Sequence, residues 1–339
     1  MDSVDSTTNT LDSKLQAIGV DEAVINVRGK DMLLIEAHGH TWTRLYGRRL
    51  DTNKLVPLGN GRVQVGEEVI QFLPPEMRDC TCPIEVMQTY EELLGFDKVV
   101  LLQTPCYGPQ YEYINSIIAE NPDKYVTVGV PNPQDKKSYL ETAKLCLGEY
   151  KYKGLKFEAP DIPFDMLAPE NQFVFEELLK YDAYFVFDLG WGDGPHDFPI
   201  DDLLEIAKRY PELTIILPHM GVSRLWDPKE YKNLDSLKKT LSVLNYNDNV
   251  YFDCSGIPML AVRGGQEYPF PIMQDVLKTA KAEGAIDRVM WGSDMPTVFV
   301  ACTYKQHLDC VVNHSDFLTD VELENLLGKT ADKVWFGNE

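Results

Sequence analysis

Eight near-continuous apolar runs, each followed by a stretch of helical periodicity, constrain this chain more than any other feature. The runs lie at residues 32–35, 98–104, 125–130, 152–157, 183–189, 213–218, 250–254 and 288–291. They lack polar alternation, so both faces of each strand need cover, as in a parallel sheet packed against helices. The helical stretches run from Pro83 to a glycine stop at Gly95, then over residues 111–120, 135–150, 171–181, 200–210, 229–244 and 272–283. Two more, near 304–312 and 320–334, close the chain. Eight strand–helix units in series predict an α/β fold, a single (β/α)8 TIM barrel, over two doubly wound domains.

Residues 1–30 read as a polar N-terminal extension and residues 31–339 as the barrel. A segment rich in glycine, proline and charge, about residues 41–81, follows the first strand and is the natural lid over a site at the strand ends. The net charge of −21 argues against nucleic acid or an anionic membrane as partner, since either calls for a basic face. No apolar stretch reaches membrane-spanning length, and the first thirty residues lack a signal peptide's basic start and apolar run. A cytoplasmic location is therefore expected. The seven cysteines, an odd number without a secretion signal, fit reduced thiols, and Cys80 and Cys82 form a lone C-x-C with no second pair at zinc-finger spacing.

In such a barrel, chemistry gathers where the strands end. The first strand ends in Glu36-Ala-His38-Gly-His40. Side chains two apart on a strand share a face, so Glu36, His38 and His40 are expected to point together. Two converging imidazoles suit a divalent cation of the zinc, manganese or iron type, although one H-x-H pair alone also fits an ordinary polar strand end. Later strand ends add Lys156 and Glu158, then Asp188 with Trp191, Asp193 and His196 close behind. They continue with His219 followed by Arg224, Asp253 with Ser255, and Ser293 with Asp294.

Three of these segments, Glu-Ala-His38-Gly-His40, Pro-His219-Met-Gly and Trp-Gly-Ser-Asp294-Met-Pro, fall in that order on strands one, six and eight. Together they resemble the amidohydrolase superfamily, in particular the branch that contains aminocarboxymuconate-semialdehyde decarboxylase and the resorcylate and carboxyvanillate decarboxylases. The resemblance spans the chain from Met32 onward. It implies one divalent metal held by the first-strand histidines, a strand-five residue and the strand-eight aspartate, which map onto His38, His40, Asp188 and Asp294. It also implies catalytic roles for His219 and Asp294; Glu36, on the same strand face, and His196, on the loop after strand five as a substitute for Asp188, are further candidate metal-binding or supporting groups. Where the family has a strand-five histidine this chain has Asp188. A second carboxylate offsets more of a dication's charge and brings manganese or magnesium in beside zinc and iron. A small carboxylic acid as substrate and a homodimer or higher homo-oligomer are further implications.

Guanidinium pairs bidentately with carboxylate, which makes Arg44, Arg48 and Arg49 on the lid, and Arg224, candidates for substrate binding. Lys156 is expected to contact substrate or support the site, a carbamylated bridging lysine being the other reading. Trp191 and Trp42 are placed to wall an aromatic substrate; Trp291 is placed either there or in the core. His307 and His314, on a late helix, are expected to serve packing or the surface. The reaction the resemblance implies first is metal-dependent, non-oxidative decarboxylation of a small aromatic or unsaturated acid, a carbon–carbon lyase reaction. Hydrolysis or hydration, at a lactone, amide or carbon–carbon bond, uses nearly the same residue types and is the alternative. A barrel retained only for binding is a third class, which the presence of His38, His40, His219 and Asp294 disfavours.

Overall fold

A computed structural model describes residues 32–49, 53–190, 192, 194–222, 227 and 232–337. The N-terminal extension, Trp191, Asp193 and Arg224 lie outside the described residues, as do the side chains of Arg48 and Arg49. From β1 (Ile35–Gly39) the chain passes through four antiparallel strands, β2 (Arg48–Arg49), β3 (Asn53–Gly59), β4 (Arg62–Val65) and β5 (Glu68–Gln71). Seven strands then continue the sheet begun by β1: β6 (Lys98–Leu101), β7 (Tyr125–Gly129), β8 (Gly154–Glu158), β9 (Tyr184–Asp188), β10 (Ile215–Leu217), β11 (Val250–Asp253) and β12 (Val289–Met290).

All neighbours in this eight-stranded sheet are parallel and in sequence order. The seam between last and first strand is bonded by Ala37 N to Trp291 O, Asp294 N to His38 O and His40 N to Met295 O, at 3.2, 2.8 and 3.0 Å. The result is a (β/α)8 barrel. Alternation along the strands sends Ile35, Ala37, Val100, Leu102, Val128, Val186, Ile216 and Met290 into one interior cluster, while Val99, Leu101 and Phe185 join the larger core under the helices.

The barrel is plugged at one end. Ala331, Val334 and Trp335 of the C-terminal helical segment belong to the interior cluster. Their neighbours bind residues at strand starts: Asp332 pairs with Lys98 Nζ, and Val334 O accepts from Tyr184 Oη. With the N-terminal end filled, the strands' C-terminal ends are left as the open mouth.

Element positions follow the apolar periodicity closely where caps are strong. The helix Ile84–Leu94 stops at Gly95, whose φ of 75° needs no Cβ. The helix Tyr304–Val312 begins at a Thr303–Gln306 capping box. Single helices expected over 135–150 and 320–334 are instead composite, with wider π-type turns at Lys144–Glu149, Asn325–Lys329 and Asp332–Phe336. Expected helix 229–244 is described only from residue 232, as Asp235–Leu241 and a tighter turn over Ser242–Asn245.

The segment after β1 is a four-stranded antiparallel sheet. Gly59, Asn60 and Gly61, all at positive φ, make the β3–β4 turn, and Val63 and Val65 alternate inward on β4. Trp42 ties the base of this insertion to the barrel: its backbone pairs with Cys82, its indole donates to Cys80 O at 2.8 Å, and its ring stacks on Tyr107. All seven cysteines are buried and free of disulfides. No helix among the described residues is long and apolar enough to cross a membrane.

Candidate active site

The first strand bends where it delivers its histidines. Its register against β6 shifts between Glu36 and Gly39; His38 and His40 keep the expected common direction, and Glu36 turns away from them. Glu36 accepts from the backbone N–H of His38 and of Ser293, each at 2.8 Å, and from the Tyr304 hydroxyl. Its carboxylate thus anchors strand one to strand eight and belongs to none of the described groups able to hold an ion.

His38 and His40 converge with Asp294. His38 Nδ1 donates to Asp253 Oδ2 at 3.0 Å, which leaves Nε2 as the lone-pair nitrogen; that atom is buried, has no hydrogen-bond partner and lies 3.8 Å from Asp294 Oδ1. His40 Nδ1 donates to Leu102 O at 2.8 Å, and its Nε2 is hydrogen-bonded to the same Asp294 oxygen at 3.0 Å. Burial lowers the His38 pKa to about 4, against the pull of Asp253, so the ring is neutral. The ligand atoms of His38, His40 and Asp294 all lie within 4.8 Å of one another, a group able to hold a cation that would take the place of the His40–Asp294 hydrogen bond.

A second pair stands beside this group. His219 lies in the turn Pro218–Gly221 after β10 with φ 57°, beside Met220 at φ 58°, and Asp294 sits at φ 68°; left-handed backbone at these non-glycine rim residues is strain kept at the site. The His219 N–H donates to Asp253 Oδ1 at 3.0 Å. Its Nδ1 faces Ser255 Oγ at 2.8 Å and Ser255 O at 3.2 Å, and its Nε2 faces Asp188 Oδ2 at 3.5 Å. Both ring nitrogens therefore meet acceptors, which suits an imidazolium. Burial opposes that charge, but the Asp188 carboxylate outweighs it and raises the His219 pKa. Burial likewise works against the Asp188 carboxylate, and His219 and Lys156 outweigh it and hold its pKa low.

Lys156 is buried and donates to Glu158 Oε1 at 2.7 Å. Burial alone would neutralise it, but the Glu158 and Asp188 carboxylates raise its pKa. A carbamate forms on a neutral amine, so this pairing favours a fixed cation over a carbamylated ligand.

These groups open onto a cavity of about 410 Å³ lined by His40, Lys156, Asp188, His219 and Asp294 and, among others, by Trp42, Ile70, Gln71, Phe72, Met259 and Arg263. The amidohydrolase family matches residues 35–337. The chain belongs to that family. Its fold is also that of solved structures at low identity. An amidohydrolase from Burkholderia multivorans with bound zinc is 18% identical, at TM-score 0.66, over 90% of this chain and 99% of that one. A probable 2-pyrone-4,6-dicarboxylic acid hydrolase from Acinetobacter baumannii with citric acid bound is 17% identical, at TM-score 0.64, over 91% and 100%. The 5-carboxyvanillate decarboxylase of Sphingomonas paucimobilis is 13% identical, at TM-score 0.57, over 90% and 99%. No curated protein matches the chain in sequence.

Other expected residues of this amidohydrolase lie elsewhere. Arg44 is exposed with its guanidinium 4.5 Å over the Tyr46 ring, and His196 is exposed on the loop after β9; neither lines the cavity. Trp291 is wholly buried and stacks on Phe96, a core role. His307 packs edge-on against Trp291, while His314 pairs with the Tyr268 hydroxyl at the surface. Tyr107 and Arg263, which line the cavity, were not legible in the sequence, and Asp253 and Ser255 were legible as strand-end residues but not by role. For Asp253 a signal exists, since Phe252-Asp253 closes its apolar run just as Phe187-Asp188 does.

Two outcomes test this construction. A Cβ at Gly292 would lie 2.8 Å from both Cβ and N of His38. Gly292→Ala is expected to cost about 1–3 kcal/mol in denaturant unfolding and to weaken zinc uptake by displacing His38. Unchanged zinc affinity would show that the strand yields without moving the ring.

The second concerns Glu36, whose pKa burial raises from 4.5 to about 7. Between those values the folded state holds a proton that the unfolded chain releases. The group's stabilisation is complete below the lower value and disappears as pH rises through the upper one. Relative to Glu36→Gln, the wild type is expected to lose on the order of 3 kcal/mol across that window. Urea titrations of both proteins at several pH values measure it, and a pH-independent difference contradicts it.

Proposed function

We propose that this chain is a metal-dependent, non-oxidative decarboxylase of a small aromatic or unsaturated carboxylic acid. His38, His40 and Asp294 are the residues that would hold a divalent ion, zinc or manganese ahead of magnesium or iron. When bound there, such an ion supplies a Lewis acid for the substrate's carboxylate and a neighbouring hydroxyl or oxo group.

The observation that carries this reading is the Asp188–His219 pair. Decarboxylation exchanges carbon dioxide for a proton. The carbon–carbon bond breaks, its electron pair stays on the substrate carbon, and a proton must arrive there. His219, placed between Asp188 and Ser255, holds such a proton at rest on the cavity wall. Hydrolysis instead needs a resting base beside water. Asp294, hydrogen-bonded to His40 Nε2 and a member of the metal-holding group, is the carboxylate available for that role. A cavity of about 410 Å³ suits a small-molecule ligand. The inserted sheet acts as its lid through Ile70, Gln71 and Phe72, which line the cavity.

The test is incubation of zinc- or manganese-loaded protein with a panel of hydroxylated aromatic and unsaturated acids in deuterated water. Release of carbon dioxide with one deuterium at the vacated carbon is expected. Ring opening, water addition or lactone cleavage without carbon dioxide overturns the reading in favour of hydrolysis.

A further inference from the structure

We propose that Asp253 is a positioning residue that sets the tautomer of His38 and so makes its Nε2 available as a metal ligand. This rests on the reading of His38, His40 and Asp294 as the metal-holding group. The Asp253 carboxylate, at the end of β11, is fully committed and asymmetric. Its Oδ1 accepts from His219 N at 3.0 Å, from Ser255 N at 3.1 Å and from the Ser255 hydroxyl. Its Oδ2 faces His38 Nδ1 at 3.0 Å. An ionised carboxylate only accepts, so Nδ1 must carry the ring proton and the lone pair must sit on Nε2. Ser255 Oγ, 3.0 Å from the same Nδ1 and 2.8 Å from His219 Nδ1, gives its own proton to Asp253 and therefore accepts from both rings. One carboxylate thus fixes the proton position on His38 and, through the N–H of His219, the turn that presents the second histidine.

The asymmetry makes an unusual prediction for Asp253→Asn, a change of almost no volume. Three donors claim the oxygen position at Oδ1, so an asparagine must set its carbonyl there and turn its NH2 toward His38 Nδ1. That nitrogen must then accept, and the ring proton moves to Nε2, where Asp294 Oδ1 is 3.8 Å away to receive it. The ligand lone pair is lost in a protein whose packing is intact. Asp253→Ala has the opposite profile: it leaves buried N–H groups without an acceptor and lowers stability, yet it forces no proton onto Nε2.

The experiment strips metal from wild type, Asp253→Asn and Asp253→Ala and measures zinc affinity by competition with a chromophoric chelator, with thermal unfolding alongside. Zinc affinity is expected to fall about 100-fold for the asparagine variant and about tenfold for alanine, while alanine is the less stable of the two. The protonated ring nitrogen of His38 is read in the metal-free proteins by long-range 1H–15N correlation, as Nδ1 in wild type and Nε2 in Asp253→Asn. Equal affinity of wild type and Asp253→Asn, a larger zinc loss for alanine than for asparagine, or a proton that stays on Nδ1 overturns the proposal. A wild type that takes up no zinc overturns the metal reading itself, and the tautomer measurement then decides the role of Asp253 alone.

Discussion

Under the proposed decarboxylase reading, His219→Asn is expected to lower kcat/KM for carbon dioxide release by about 10²–10⁴-fold, the range of a lost general acid, with metal content unchanged. Asparagine suits the site well enough to isolate the proton. It tolerates the left-handed backbone at this position, φ 57°, and the backbone N–H to Asp253 does not depend on the side chain. What it cannot do is carry a transferable proton between Asp188 and Ser255. Asp188→Asn is expected to act in the same direction, because it removes the charge that holds His219 protonated. Steady-state kinetics on a decarboxylated substrate, with metal analysis of the same preparations, decides the matter. A fully active His219→Asn protein assigns the proton to another group, Asp294 being next on the cavity wall.

His38→Ala and Asp294→Asn are each expected to reduce bound metal from about one ion per chain to near none. The reason is that the donor set is small. His38 Nε2, His40 Nε2 and one Asp294 oxygen converge, and the Asp294 oxygen is the member nearest both rings, at 3.8 and 3.0 Å. Removing either member leaves two ligands, and the carboxylate is also the only charge in the set. Asp188 separates the ligand reading implied by the family from the one its contacts favour. Its Oδ2 faces His219 Nε2 at 3.5 Å and its Oδ1 accepts from Gly190 N at 2.8 Å, and it is in none of the described ion-holding groups. Asp188→Asn is therefore expected to keep its metal while losing activity. Elemental analysis of the three variants measures this directly, and loss of metal from Asp188→Asn makes Asp188 a fourth ligand.

The barrel was legible because its signal is local and redundant. Each buried parallel strand must be apolar on both faces, and some helices are bounded by caps such as Gly95 or Thr303, so eight runs and several of their stops can be read without knowing what they touch. His38, His40, His219 and Asp294 were legible for a related reason: each lies at, or within four residues of, the C-terminal end of a barrel strand, and those ends face one rim. Direction was not. The register shift between Glu36 and Gly39 turns the Glu36 carboxylate to Ser293 and Tyr304, and no periodicity announces a bulge. Asp253 and Ser255 show their role only where a carboxylate from strand seven meets a ring from strand one, 215 residues away. Arg44 carried the right chemistry for a substrate carboxylate, yet its stacking on Tyr46 keeps it off the cavity, while Arg263, on a helix with no motif around it, lines the wall. Sequence by itself determined the architecture and the rim on which chemistry gathers, since both follow from the order of apolar runs. Which atoms face one another on that rim, and so which histidine offers a lone pair and which holds a proton, was decided only by tertiary packing, because a hydrogen-bond partner is a neighbour in space.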